Sequence, residues 1–267
     1  MAEHSLSPMK RTIVGVQFMF VAFGSTVLVP ILCNLDPAVA LLAAGLGTLL
    51  FHLVTGGKVP IYLGSSFAFI APIIKATELY GLSGMFCGLV SVGIVYMLMG
   101  LLVKTFGIGF IKKLFPPIVI GPVIILIGLS LASAGVNMAK ANWILALVSL
   151  AVAVAASIWG KGIVKLIPVV FGAVAGYIVS LLFFRESMDF SPVAQASWFA
   201  IPKLSHMSFS WQAILFMAPV AIAPIIEHVG DMYAISSIAG KDFIKDPGLH
   251  RTLLGDGLSC CLAAFLG

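Results

Sequence analysis

Apolar runs of about 17–25 residues, the length a helix needs to cross a bilayer, leave this chain few ways to fold. They occur at 13–32, 37–54, 80–103, 116–136, 143–160, 163–184 and 211–235, and another begins near 253. Backbone polar groups at membrane depth must be satisfied within the segment itself, which favours helices over any open sheet. Composition agrees: 61% of residues are apolar and 9% charged, whereas a soluble domain carries about a quarter charged residues. The chain therefore reads as an all-α polytopic membrane protein. Its net charge of +5 comes from basic residues placed singly or in pairs in short loops, which speaks for membrane topology and against a nucleic-acid surface.

Sidedness depends on a shorter, interrupted run at 59–74. Counting it as a crossing leaves Lys75, Lys140, Arg185 and Lys203 on one side and the other eleven of the fifteen basic residues opposite. By the positive-inside rule the N-terminus is then cytoplasmic, with 1–12 as a tail and the protein in the cytoplasmic membrane. The first apolar run is long and lacks a small-x-small cleavage site, so it reads as an uncleaved helix. Cys33, Cys87, Cys260 and Cys261 show no ligand spacing, and neither a disulfide nor a metal is expected.

The interruption is Lys58-Val59-Pro60-Ile61-Tyr62-Leu63-Gly64-Ser65-Ser66-Phe67. Pro60 lacks a donor, Gly64 loosens the chain, and Ser65 or Ser66 can cap a helix starting at Phe67. The expectation is a short extended segment near 59–66 leading into a half-helix, whose free amides around Ser66 and Phe67 offer donors near the midplane. A Pro/Gly-kinked helix with internally satisfied caps is the alternative.

Glu227 lies in the middle of the apolar run at 211–235. An ionisable group there marks a functional site by default, the alternative being a carboxyl that only bridges helices. Asp231 shares its face, about 40° around the axis. Pro224, one turn earlier, removes a helix hydrogen bond and predicts a kink beside the acid. His228, about 100° around from Glu227, is read as orienting neighbouring helices, and Asp256 as a capping or interhelical residue.

Other patterns are assigned to structure. Gly172-x-x-x-Gly176 permits close helix contact. Trp198, Phe199 and Trp211 flank an external loop as interfacial anchors, and Lys241 through Gly248 reads as a solvated linker. H-E-x-x-H, G-x-x-x-x-G-K-[ST] and G-x-S-x-G are absent, and Gly107-Ile108-Gly109 lacks the third glycine of a dinucleotide loop. No catalytic residue, cofactor or enzyme activity is expected.

Three motifs together, Tyr62-Leu63-Gly64-Ser65-Ser66-Phe67-Ala68-Phe69, Glu227-His228-Val229-Gly230 and Asp246-Pro247-Gly248-Leu249-His250-Arg251, resemble bacterial uracil permeases of the nucleobase-ascorbate transporter family, over residues 17–267. The resemblance implies two inverted seven-helix repeats, of which this chain holds the first and about two helices of the second, ending before a second substrate-binding carboxylate. It implies core helices 1–4 at 13–103, gate helices 5–7 at 104–184, an external loop at 185–210 and core helices 8–9 at 211–267, in a protein that is often a homodimer.

The same resemblance gives Glu227 the ring N–H of uracil, the Phe67 amide a ring carbonyl, and Gln17 a supporting place beside Ser66 and Asp231. Where uracil permeases usually carry histidine this chain has Asp231, and its Glu-x-x-Gly-Asp pattern resembles the purine and ascorbate branches. The function implied is proton-coupled uracil uptake, with Glu227 and Asp231 as proton-coupling groups. The alternatives are a xanthine or other purine permease, an anion carrier of the sulfate-transporter fold, and an inactive fragment.

Overall fold

A computed structural model describes residues 25–114, 116–161, 164, 168–195, 202 and 204–267. Among them the regular structure is entirely helical. Residues 25–32 are helical, and the helices that follow are α1 (Pro37–Thr55), α2 (Ile70–Phe106), α3 (Ile108–Leu114), α4 (Pro117–Ser130), α5 (Ala132–Ala139), α6 (Trp143–Trp159), α7 (Pro168–Phe183), α8 (Ser191–Gln195), α9 (Trp211–Met217), α10 (Ile222–Ala239) and α11 (Leu249–Leu266). Among the described residues, four stretches are long and apolar enough to cross a bilayer: Pro37–Thr55, Phe67–Phe106, Ile118–Ala139 and Trp211–Ala239. The protein is thus a polytopic helical membrane protein.

Local sequence explains the helix limits. Asp36 caps α1 by accepting from Ala38 N at 2.8 Å, Pro37 occupies the first turn, and Gly56 closes the helix at φ 65°. Within α2 the helix is broken at Gly81, with φ 70° and ψ 169°, a conformation that glycine alone reaches without strain. The run at 59–74 and the run at 80–103 therefore meet at this break.

The chain divides into two units. The larger comprises Ser25–Leu131 and Pro202–Gly267. Its centre is α2, on which α9 and α11 pack, and α11 also packs along α1. Small residues set these approaches. A Cβ on Gly93 would lie 2.4 Å from Cys261 Sγ and 2.6 Å from Gly257 O, and one on Gly88 would lie 2.6 Å from Met217 Cγ. Ser259 Oγ is 2.8 Å from Gly47 O across the contact of α11 with α1. Close backbone approach of this kind is how helices associate where lipid removes the hydrophobic drive between them. Met85, Val92, Ile225, Val229 and Leu253 are fully buried in the resulting core. Cys260 and Cys261 are packing residues here, their thiols 3.7 Å from Leu89 O and 3.6 Å from Val90 O.

The smaller unit includes the described residues of 132–201. Asn142 caps α6, accepting from Ile144 N and Leu145 N, and α6 packs against α7. The glycine motif of α7 lies at this contact: a Cβ on Gly172 would approach Ser149 O to 2.6 Å, and one on Gly176 would meet Ser149 Oγ.

Two expectations need correction. The final helix starts at Leu249, not near 253, because Leu249 and Thr252 are buried in its first turn. The segment from Lys241 to Gly248 is only partly a solvated linker. Phe243, Ile244, Pro247 and Gly248 are buried while Lys241, Asp242, Lys245 and Asp246 remain exposed. Asp242 also accepts from Ile244 N and Lys245 N, each at 3.2 Å, so the charges cap a packed turn. Trp198 and Phe199 lie outside the described residues.

Candidate substrate site

Residues 60–66 have no regular structure, and a single 3-10 turn, Phe67–Phe69, leads into α2. The extended form and the half-helix follow from Pro60, Gly64 and the cap. Ser66 sits at φ −85°, ψ 136°, and its Oγ accepts from Ala68 N at 3.2 Å. The segment is held from behind by Thr48 of α1, whose Oγ accepts from Leu63 N at 3.0 Å and donates to Ala44 O at 2.7 Å. At its start, Lys58 Nζ pairs with Asp246 Oδ1 at 2.5 Å.

On the opposing element, the 3-10 turn Ala218–Ala221 runs directly into α10, and Pro224 is buried in the first turn of that helix. The tightened turn is the distortion that a proline lacking its N–H produces in a helix. Three residues later Glu227, half-buried, receives the Ser66 hydroxyl proton at Oε2 over 2.5 Å. That length is in the range of charge-assisted hydroxyl–carboxylate bonds. A cap residue and an acid separated by 161 positions are thereby joined.

The Ser66 hydroxyl accepts from Ala68 N and gives its one proton to Glu227, so its donor is used within the protein. The neighbouring amides differ. Among the described residues, the backbone N–H groups of Gly64, Ser65, Ser66 and Phe67 have no acceptor. A run of free donors beside a carboxylate offers complementary partners to a flat molecule bearing both N–H and C=O groups.

Asp231 lies on the exposed side of α10, within electrostatic reach of Glu227, His228 and Asp256. His228 faces away from the broken segment into α11. Its Nε2 is 3.0 Å from Thr252 Oγ, its Nδ1 is 2.8 Å from Asp256 Oδ2, and Tyr96 meets the ring edge-on. The structure places His228 and Asp256 in contact between α10 and α11, with Asp256 inside α11 and not at its start. Gln17 lies outside the described residues. Thr48, Thr252 and Tyr96 had no signal in the sequence, since one threonine or tyrosine in an apolar helix is indistinguishable from its neighbours until the facing helix is known.

The family described as "Permease family" (Xan_ur_permease) matches residues 9–267 of this chain. The chain is 47% identical over 270 residues to a protein named probable uracil permease in Haemophilus influenzae, covering 98% of this chain and 65% of that protein. It is 42% identical to the uracil permease of Bacillus caldolyticus, covering 95% and 62%. It is 38% identical to the uracil permease of Escherichia coli (strain K12), covering 97% and 63%. The chain thus spans less than two thirds of the length of these relatives. A family match over residues 9–267, with relatives 38–47% identical over 95–98% of the chain, establishes that the chain belongs to this permease family.

Proposed function

We propose that this protein takes part in proton-coupled uptake of uracil across the cytoplasmic membrane, with its N-terminus on the cytoplasmic side. The observation that carries the reading is the Ser66–Glu227 contact of 2.5 Å, which brings the free amides of 64–67 to the acid. Uracil presents imide N–H and carbonyl groups along one edge. Glu227 accepts a ring N–H, and the Phe67 amide donates to a ring carbonyl, while Ser66 keeps the acceptor in place. Gln17 supports the site from the first helix. The names of the relatives support the choice of base.

Protonation of Glu227 turns one carboxyl oxygen into a donor while the other still accepts, so binding and proton uptake are linked at one carboxyl, with Asp231 as the second proton-coupling group. The core elements at 13–103 and 211–267 carry the substrate and move against gate helices at 104–184, in a lipid-embedded protein that forms a homodimer and follows the inverted-repeat plan. Asp231 favours a second reading, a purine such as xanthine, because a carboxylate in place of an imidazole changes which ring edge is accepted. A fixed carboxylate at Glu227 opposes the anion-carrier alternative.

The test is labelled-uracil uptake by cells expressing the gene. Glu227→Gln abolishes uptake with membrane insertion unchanged, since the amide cannot replace an ionised acceptor. Normal uptake in that variant overturns the assignment. Proton coupling predicts that uptake rises as external pH falls and collapses with a protonophore; indifference to both removes the proton from the scheme. Competition by uracil, xanthine and sulfate separates the three substrate classes.

A further inference from the structure

His228 is buried, Thr252 fully so, and both ring nitrogens of His228 are engaged by α11. The hydrogen-bond inventory decides where the protons are. Thr252 Oγ lies 3.0 Å from Leu249 O. A carbonyl has no proton to give, so two oxygens this close require the threonine hydroxyl to donate to it. The hydroxyl has one proton, and with that proton committed, its oxygen can only accept from the histidine. His228 Nε2 therefore carries a hydrogen across the 3.0 Å contact with Thr252 Oγ.

The second nitrogen then poses a strict condition. A neutral imidazole with hydrogen on Nε2 has a bare lone pair at Nδ1, which cannot bond an ionised carboxylate, because both are acceptors. Yet Nδ1 and Asp256 Oδ2 are 2.8 Å apart. A proton must lie between them, whether it resides on the ring or on the carboxyl. Either way the two side chains together carry no net charge.

We infer that His228 and Asp256 form a proton-holding site between α10 and α11, an uncharged clamp that positions the adjacent Glu227 without adding a further negative charge to the cluster. The charged and titratable groups facing the clamp are Glu227 and Asp231 on α10, Tyr96 on α2 and Cys260 on α11. His228 and Asp256 are positioning residues, acting on Glu227 through the helix that carries it.

The inference stands on geometry and is tested without transport, so failure of the uracil assignment leaves it untouched. In ring-nitrogen NMR spectra of the detergent-solubilised protein, the His228 signals are identified by their loss in His228→Gln. Nε2 is expected to be protonated in the wild type. Asp256→Asn supplies an uncharged amide whose N–H donates to Nδ1, so Nε2 stays protonated and the melting temperature stays within about 2 °C of wild type. Asp256→Ala leaves Nδ1 without a partner and lowers melting by about 5 °C. A bare Nε2 in the wild type overturns the inference by showing that Thr252 donates to the ring. Equal loss in Asp256→Asn and Asp256→Ala overturns it as well, since the carboxylate charge is then required.

Discussion

The helices α2 and α4 are both strongly apolar, yet they sit in opposite environments. Half of the most apolar stretch within Phe67–Phe106 is buried in protein, and none of the corresponding stretch within Ile118–Ala139. In α2, Gly88, Gly93 and Gly100 each face another helix at a distance that excludes a Cβ. In α4, Gly121 and Gly128 have open space around them among the described residues, and Ile118, Ile125, Leu126 and Leu129 are exposed. Hydrophobicity does not separate these cases, because an apolar side chain is as well solvated by lipid tails as by protein. What separates them is whether a glycine is used for close approach. The helix that uses its glycines is also the one that follows the broken segment with the Ser66 cap and, among the described residues, the free amides of 64–67.

Single substitutions can break that contrast. Gly93→Ala has the largest expected effect: the new methyl meets Cys261 Sγ at 2.4 Å and the backbone of Gly257 at 2.6 Å. Helices α2 and α11 must separate, with a loss of about 3 kcal/mol, read as a fall in detergent melting temperature. An unchanged melting curve means that the crossing is looser than described. Ser66→Ala comes next, removing both the cap and the proton donated to Glu227. A loss of about 1 kcal/mol is expected, together with weakened uracil uptake; an uptake rate equal to wild type would separate the cap from the site. Gly128→Ala is the smallest. With nothing within 4 Å it should be neutral or gain up to about 1 kcal/mol from helix propensity, and a marked loss would reveal a partner on the Gly128 face of α4 besides its contact with α10.

Much of the fold was legible because its signals are local. Apolar runs located the spans, and Pro60, Gly64 and the Ser65-Ser66 pair announced an extended segment and a cap, which Ser66 supplies. Gly172 and Gly176 announced a close contact that α6 supplies. The crossing of Gly93 with Gly257 was not legible, because each glycine is unremarkable within its own helix and their meeting depends on tertiary placement. The burial of Phe243 and Ile244 was hidden for a related reason. Charges at Lys241, Asp242, Lys245 and Asp246 dominate the composition of that turn, although its apolar residues face the other way.

In the candidate site, Glu227 and Ser66 each stood out alone, one as a carboxylate at membrane depth and the other as a cap after a broken run. Nothing in their spacing required them to touch. His228 could be assigned to helix orientation from its angle around the axis, but its partners Thr252 and Asp256 depend on the register of α11. That register is set by the buried first turn beginning at Leu249, which the apolar pattern alone placed four residues too late.

The segment between Lys58 and Ser66 is tethered at both ends to one stretch of chain. Lys58 pairs with Asp246 in the turn after α10, and Ser66 bonds Glu227 within α10. The Lys58 pair is exposed and weak on its own, worth about 0–1 kcal/mol. Mechanically, however, a short beam clamped at two points bends far less than one held at a single end. Displacing α10 drags the strap with it, so acceptor and donors keep their spacing. Slippage is then confined to surfaces that lack such double fastening.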